Sequence, residues 1–159
     1  MRAKQSAGLL MFRRQDDELE VLLAHPGGPY WAGRHDGAWT IPKGGIHHGE
    51  EPLASAIREF IEETGFSPCE PFIPLGHVTQ RSGKLVHGWA FEGNCRPDQM
   101  TSMQTTTEWP PRSGQFITIP EIDQIRFFPP SLARIAINPA QVAFLERLEG
   151  TLHTLNFEL

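Results

Sequence analysis

Hydrophobic residues along the chain gather in short runs broken by polar turns. Ser6–Arg13 (SAGLLMFR) and Leu19–His25 (LEVLLAH) are apolar runs of strand length, and the polar Arg14–Glu18 between them predicts a hairpin. Pro26–Gly37 reads as a loop, yet it carries Tyr30, Trp31, Arg34, His35 and Asp36. Such a loop faces either a ligand or the edge of the core. Ala38–Pro42 is a short extended piece leading into Lys43-Gly44-Gly45. Pro52–Thr64 has a helical period: Leu53, Ala56, Ile57, Phe60, Ile61 and Thr64 fall on one side at about 100° per residue. Pro52 suits a first turn, Glu50 and Glu51 suit the positive end of the dipole, and Gly65 supplies the stop. Phe72–Gln80 and Lys84–Glu92 predict two more strands around Arg81-Ser82-Gly83. Arg96–Gly114 is polar and irregular and ends in the distinctive Trp109–Gly114 (WPPRSG). Gln115–Ile119 and Ile125–Phe128 are strand pieces, and Ser131–Ile137 and Pro139–Glu149 are helices, the second with Val142, Leu145 and Leu148 as its stripe.

No repeat or break in composition divides the chain. One domain is expected over residues 1–150, with 151–159 as a C-terminal tail. Interleaved strands and helices point to an α/β or α+β sandwich. The length of 159 residues suits one domain with a real core. Gly and Pro, 15 and 14 residues, argue against a helical bundle. Cys69 and Cys95 make no disulfide framework and lack metal-ligand spacing, which fits two reduced thiols in a cytoplasmic protein. The N-terminal apolar stretch is too short for a signal peptide, and no apolar run could span a bilayer.

Fourteen Lys and Arg against nineteen Asp and Glu leave a net charge of −5. Such a chain has no global attraction for a nucleic acid polymer or an anionic membrane. The acidity is concentrated, however. With Glu59 taken as the origin, Glu63 lies about 40° to one side on the helix, Glu62 about 60° to the other, and Arg58 at the edge. Like charges at this spacing destabilise an isolated helix by a few tenths of a kcal/mol per pair. A solvated acidic face is the commoner meaning of three such glutamates. A hard divalent cation is the alternative, because Mg²⁺ takes clustered carboxylates, waters and substrate phosphates.

The wider pattern changes that balance. Gly44, Glu50, Arg58, Glu59, Phe60, Glu62, Glu63, Gly65 and Phe66 stand at the spacing Gly, five residues, Glu, seven residues, Arg-Glu, apolar, any, Glu-Glu, any, Gly, apolar. Chance would give its seven fixed positions on the order of once in a million such chains. The segment resembles the signature box of the Nudix hydrolases, tightly over Trp39–Phe66 and loosely elsewhere. The resemblance implies the Nudix fold, an α/β/α sandwich with a mixed sheet. It also implies a pyrophosphohydrolase that uses Mg²⁺, or Mn²⁺, to cleave a diphosphate linkage in a small nucleotide-type substrate by water attack at phosphorus.

By the same resemblance Glu59, Glu62 and Glu63 would hold metal together with the Lys43 backbone carbonyl, and Glu62 and Arg58 would serve catalysis, Arg58 by orienting a glutamate. Glu50 would cap the loop–helix junction or reach metal through water, and Gly44 and Gly45 would allow a tight turn with free carbonyls. The general base is sought outside the box among Glu92, Asp98, Glu108, Glu121 and Asp123; Glu121 is the choice, for its place before a strand and a helix, and Glu108 beside Trp109 is next. Pro42-Lys43-Gly44 resembles the branch that hydrolyses diadenosine polyphosphates. Lys43, Arg34, Tyr30, Trp31, Trp109 and Arg112 are candidate substrate-binding residues, as charges for phosphate or faces for a base. His47, His48, His77 and His87 lack the spacing of metal ligands. A catalytically idle nucleotide-binding or regulatory module of the same fold is the alternative function, although every box glutamate is kept. A monomer or a homodimer is expected.

Overall fold

The apolar runs pair as their pattern predicts. The computed structural model describes residues 4–158; residues 1–3, at the start of the expected domain, and Leu159, at the end of the expected tail, lie outside the described residues. β1 (Gln5–Gln15) and β2 (Glu18–Pro26) form an antiparallel hairpin. Asp16 and Asp17 turn it with φ of 54° and 65°, a backbone whose twist matches the flanking strands. β3 (Lys43–Gly45) pairs antiparallel with β1. β4 (Ile73–Thr79) pairs antiparallel with β5 (Leu85–Glu92), which lies parallel to β1. β8 (Ile122–Phe128) closes the other side against β2, so the mixed sheet runs β4-β5-β1-β2-β8.

Side chains of the central strands alternate between two cores. Leu10, Phe12, Val21 and Leu23 face one, where α2 (Pro130–Ala136) and α3 (Val142–Glu158) contribute Ala133, Ala136, Phe144 and Leu145. Ala7, Leu9, Met11 and Leu22 face the other, covered by Ala56 and Phe60 of α1 (Pro52–Thr64). The result is the expected α/β/α sandwich. Gly65, with φ of 80°, ends α1 as expected. Among the described residues no helix is long and apolar enough to cross a membrane.

Three expectations need correction. Arg96–Gly114 is not irregular throughout: β6 (Gln104–Glu108) pairs with β7 (Phe116–Pro120) in a separate two-stranded sheet. Its sequence, Gln-Thr-Thr-Thr-Glu, has no apolar alternation because neither face is deeply buried. Trp109–Gly114 lies in the turn of that hairpin. Residues 151–158 are not a tail but the last turns of α3, because Leu152 continues the Leu145 and Leu148 stripe into the core. On α1 the buried arc is rotated: Ile61 is 42% exposed while Glu63 is 7% exposed.

The segment before β3 fixes how α1 meets the sheet. Thr40 bridges Ala24, and the Pro42 carbonyl accepts from the Leu9 N–H at 3.1 Å, so residues 39–43 cross the ends of β2 and β1. A Cβ on Gly8 would come within 2.5 Å of the Pro42 oxygen, so this crossing needs glycine. Buried Gln141 accepts the Ile41 N–H at 3.0 Å and donates to Gln80 Oε1 at 2.9 Å. Gln141→Leu leaves the Ile41 N–H buried without a partner. It is expected to lower the unfolding free energy by about 1–3 kcal/mol with an unchanged denaturant slope. Urea unfolding checks this, and a loss below about 0.5 kcal/mol would mean that the bond is dispensable.

Candidate active site

At the end of the sheet where β1 and β5 begin, a polar pocket of about 320 Å³ is lined by Lys43, Glu59, Glu62, Glu63, Lys84 and Glu121, with Ser6, Gly44, Met103 and Gln104. α1 supplies three of the glutamates. Glu121 arrives from the junction of β7 and β8, where its N–H donates to the Met103 carbonyl at 2.8 Å and its carbonyl accepts from Gly27 at 3.0 Å. The β6–β7 hairpin is thus what carries Glu121 to the helix. Gly44 is needed for closeness: a Cβ there would run into the Glu59 carboxylate. The expected tight turn at Gly44 and Gly45 is not present, because both are extended in β3. Nor is the Gly45 carbonyl free, since it accepts from Arg58 Nη2 at 3.1 Å and Ser55 Oγ at 3.4 Å.

Arg58 organises the acidic groups. Its Nε and Nη2 grip the two oxygens of Glu50 at 2.9 and 3.0 Å, and Nη1 donates to Glu59 Oε1 at 2.8 Å and Glu62 Oε2 at 3.1 Å. The Arg58 hydrogen bonds, and next the His47 N–H, hold Glu50 down to about 2. Glu50 closes the loop before α1 rather than capping the helix. The Arg58 guanidinium is itself held more firmly protonated, first by Glu50.

Deeper in, the balance reverses. Burial, then the charges of Glu121 and Glu59, push Glu63 up to about 8. Burial also raises Glu59, against the pull of Arg58. Lys43 is lowered to about 8 by burial and then by Lys84, with Glu63 and Glu59 opposing. The pocket therefore holds more carboxylates than its own cations can balance. Among the described residues no three His, Cys, Asp or Glu side chains converge as a finished metal site. The donor set nonetheless fits a hard divalent cation: carboxylate oxygens dominate, and burial with mutual repulsion raises Glu63 and Glu59, so the pocket favours added positive charge. Arg58 uses one oxygen each of Glu59 and Glu62, so each has a second.

Of the five candidates for a general base, only Glu121 lines this pocket. Glu92 ends β5 at the opposite end of the sheet, opposite Phe12. Asp98 faces Arg96 at 3.7 Å. Glu108 closes the hairpin turn through the N–H groups of Arg112 and Gly114 at 3.1 and 3.0 Å. Asp123 pairs with His25 at 2.9 Å. Among the substrate-binding candidates, Lys43 lines the pocket and Tyr30, Trp31, Arg34, Trp109 and Arg112 do not. Trp109 and Arg112 sit at the β6–β7 turn, Trp31 packs against the core beside α2 and α3, and Tyr30 and Arg34 stack on one another. Lys84 was not visible as a site residue in the sequence; its signal is a lysine directly after the turn that opens β5.

A family model described as NUDIX domain matches residues 2–148. RNA pyrophosphohydrolase of Brucella anthropi is 46% identical over 56 residues, 28% of this chain and 32% of that protein. The counterpart in Agrobacterium fabrum is 43% identical over 56 residues, 28% and 33% of the two chains. The match thus spans about a third of the length of these curated relatives. Among solved structures, an Ap4A hydrolase binary complex from C. elegans aligns with a TM-score of 0.67 at 22% identity, over 96% of this chain and 99% of that one. The NUDIX domain of Shewanella oneidensis NrtR, complexed with ADP ribose, aligns with a TM-score of 0.66 at 15% identity, over 96% and 90%. Identities this low show likeness of fold.

The raised carboxylate has a consequence for stability. Glu63 binds its proton more tightly folded than unfolded, so its contribution is full below its ordinary value of 4.5 and is lost as pH rises through about 8. Lys43, lowered from 10.5 to about 8, acts only above that range. Thermal unfolding in chelator should therefore show Glu63→Gln gaining on the parent protein from pH 4.5 to 8. Millimolar Mg²⁺ should close the gap by stabilising the parent. A pH-independent difference between the two would refute the assignment.

Proposed function

The chain belongs to the NUDIX domain family, and on that premise we propose that it is a metal-dependent hydrolase of a diphosphate linkage in a nucleoside diphosphate derivative, such as a dinucleoside polyphosphate or a nucleoside triphosphate. The observation that carries this reading is the meeting of Glu59, Glu62, Glu63 and Glu121 with Lys43 and Lys84 in one pocket. Excess carboxylate beside two lysines suits a multiply anionic substrate that arrives with divalent metal.

Glu59, Glu62 and Glu63, with the Lys43 carbonyl, would hold Mg²⁺ or Mn²⁺. When bound, the ion neutralises the diphosphate and acidifies the attacking water. Glu121 would accept a proton from the attacking water as the water oxygen bonds to phosphorus and the anhydride P–O bond breaks, its electron pair leaving on the departing phosphate oxygen. Lys43 and Lys84 contact phosphate oxygens. Arg58 touches no substrate; it holds Glu59 and Glu62 at fixed angles and spends its remaining donors on Glu50 and the Gly45 carbonyl.

A phosphate-release screen with Mg²⁺ and Mn²⁺ tests the reaction, over dinucleoside polyphosphates, nucleoside triphosphates, ADP-sugars, diphosphoinositol phosphates and RNA with a 5′ triphosphate. The last enters because relatives matched over 56 residues are RNA pyrophosphohydrolases. Products made in heavy-oxygen water locate the attacked phosphorus. No turnover on any of these, together with no Mg²⁺ binding by calorimetry, would leave a nucleotide-binding module instead. On the best substrate Glu121→Gln is expected to lower kcat by roughly 10²–10³-fold with an unchanged melting temperature. Turnover near that of the parent protein would remove Glu121 from the base role.

A further inference from the structure

A second pocket, of about 500 Å³, opens on the sheet face that carries α2 and α3, beside the ends of β2 and β8. The extended segment from Trp39 to Lys43, about 13 Å at strand rise, separates it from the acidic pocket. Its floor is aromatic: Trp39, 2% exposed, meets the rings of His25 at 5.1 Å and Phe128 at 5.0 Å, both edge to face. Its rim is made of donors. Arg126 is held with its guanidinium 4.8 Å from the Phe128 ring and 5.8 Å from Trp39. Arg34 lies over Tyr30 at 4.4 Å and gives its Nε to the Tyr30 carbonyl at 2.7 Å, so its Nη groups are the ones open to a ligand. Both guanidinium groups are thus placed before anything binds.

His35 adds a donor whose identity is fixed by chemistry. The Trp39 indole N–H can only donate, and it points at His35 Nδ1 at 3.1 Å. Nδ1 is therefore the acceptor and the ring proton sits on Nε2. The Gln124 amide completes the rim. Asp123 is the one carboxylate among the lining residues, and its Oδ1 is engaged by His25, whose other nitrogen meets the Arg34 carbonyl at 2.7 Å. Two preplaced guanidinium groups and a neutral N–H donor therefore outweigh one partnered carboxylate, in a chain whose net charge is −5.

We propose that this pocket binds a phosphate group, carried as free phosphate or as a nucleoside monophosphate. Donors lining one pocket from two stretches of backbone, Arg34 and His35 on the loop after β2 and Arg126 on β8, suit the spread oxygens of a tetrahedral anion better than a planar carboxylate. The site needs no metal and does not rest on the hydrolytic reading.

Amide NMR of the full chain in chelator, titrated separately with inorganic phosphate, AMP and acetate, tests it. Saturable shifts centred on residues 33–35 and 124–126 are expected with phosphate or AMP in the millimolar range or below. AMP saturating at lower concentration would mark a nucleotide as the ligand, and equal saturation would mark phosphate itself. Arg126→Gln and Arg34→Gln should each weaken binding at least tenfold, whereas Glu63→Gln should not. Shifts centred on Lys43 and Lys84, acetate binding as tightly as phosphate, or parent-like binding by both arginine variants at an unchanged melting temperature would overturn the proposal.

Discussion

Arg58 makes hydrogen bonds to Glu50, Glu59 and Glu62 and to the Gly45 carbonyl, and the local architecture depends on this one guanidinium. Without it, α1 would present its carboxylates to one another and the loop before it would lose its bidentate tie to the helix. A lysine could not substitute, because a point charge cannot serve a bidentate carboxylate and two further glutamates at fixed angles. The arrangement also divides the glutamates into two electrostatic groups. Glu50 lies on the Arg58 side and is held far down, whereas Glu63 lies beyond reach of Arg58 and is held far up. One helix therefore carries both a rigid ionic latch and an unbalanced acidic group, one residue past the latch's last partner.

The imbalance follows from backbone crossing. Gly8 lets residues 39–43 pass over β1, and Gly44 lets the Glu59 carboxylate come against β3. The same crossing brings Lys43 among the glutamates, where burial strips much of its advantage as a cation. Folding alone gains little from a buried Glu63. A carboxylate raised to about 8 resists burial in its charged form, so its position makes sense for a state with added positive charge.

How much of this was legible in the sequence depended on the kind of signal. α1 was readable to its ends because period, Pro52 and Gly65 agree. Its buried face was legible at Ala56, Phe60 and Thr64 but not at its margins, where hydrophobicity assigns Ile61 inward and Glu63 outward and the fold reverses both. β6 could not be read because threonines in a two-stranded, solvent-washed sheet carry no alternation. That gap mattered, as the β6–β7 hairpin delivers Glu121, which the sequence placed by order of elements alone. Lys84 is far from Lys43 along the chain, and only the parallel pairing of β5 with β1 brings it to the pocket. The loop after β2 places Arg34 and His35 beside Trp39, on the other face of the sheet, rather than over the glutamates.

The net charge of −5 illustrates where a global quantity stops being informative. Binding along a nucleic acid backbone sums over many phosphates, so an acidic surface opposes it term by term. A compact anion meets a protein at one point, and what counts there is the local field rather than the sum over the surface. In the pocket Lys43 and Lys84 stand beside Glu59, Glu62, Glu63 and Glu121, so positive charge is found where the glutamates are densest, which the net figure conceals.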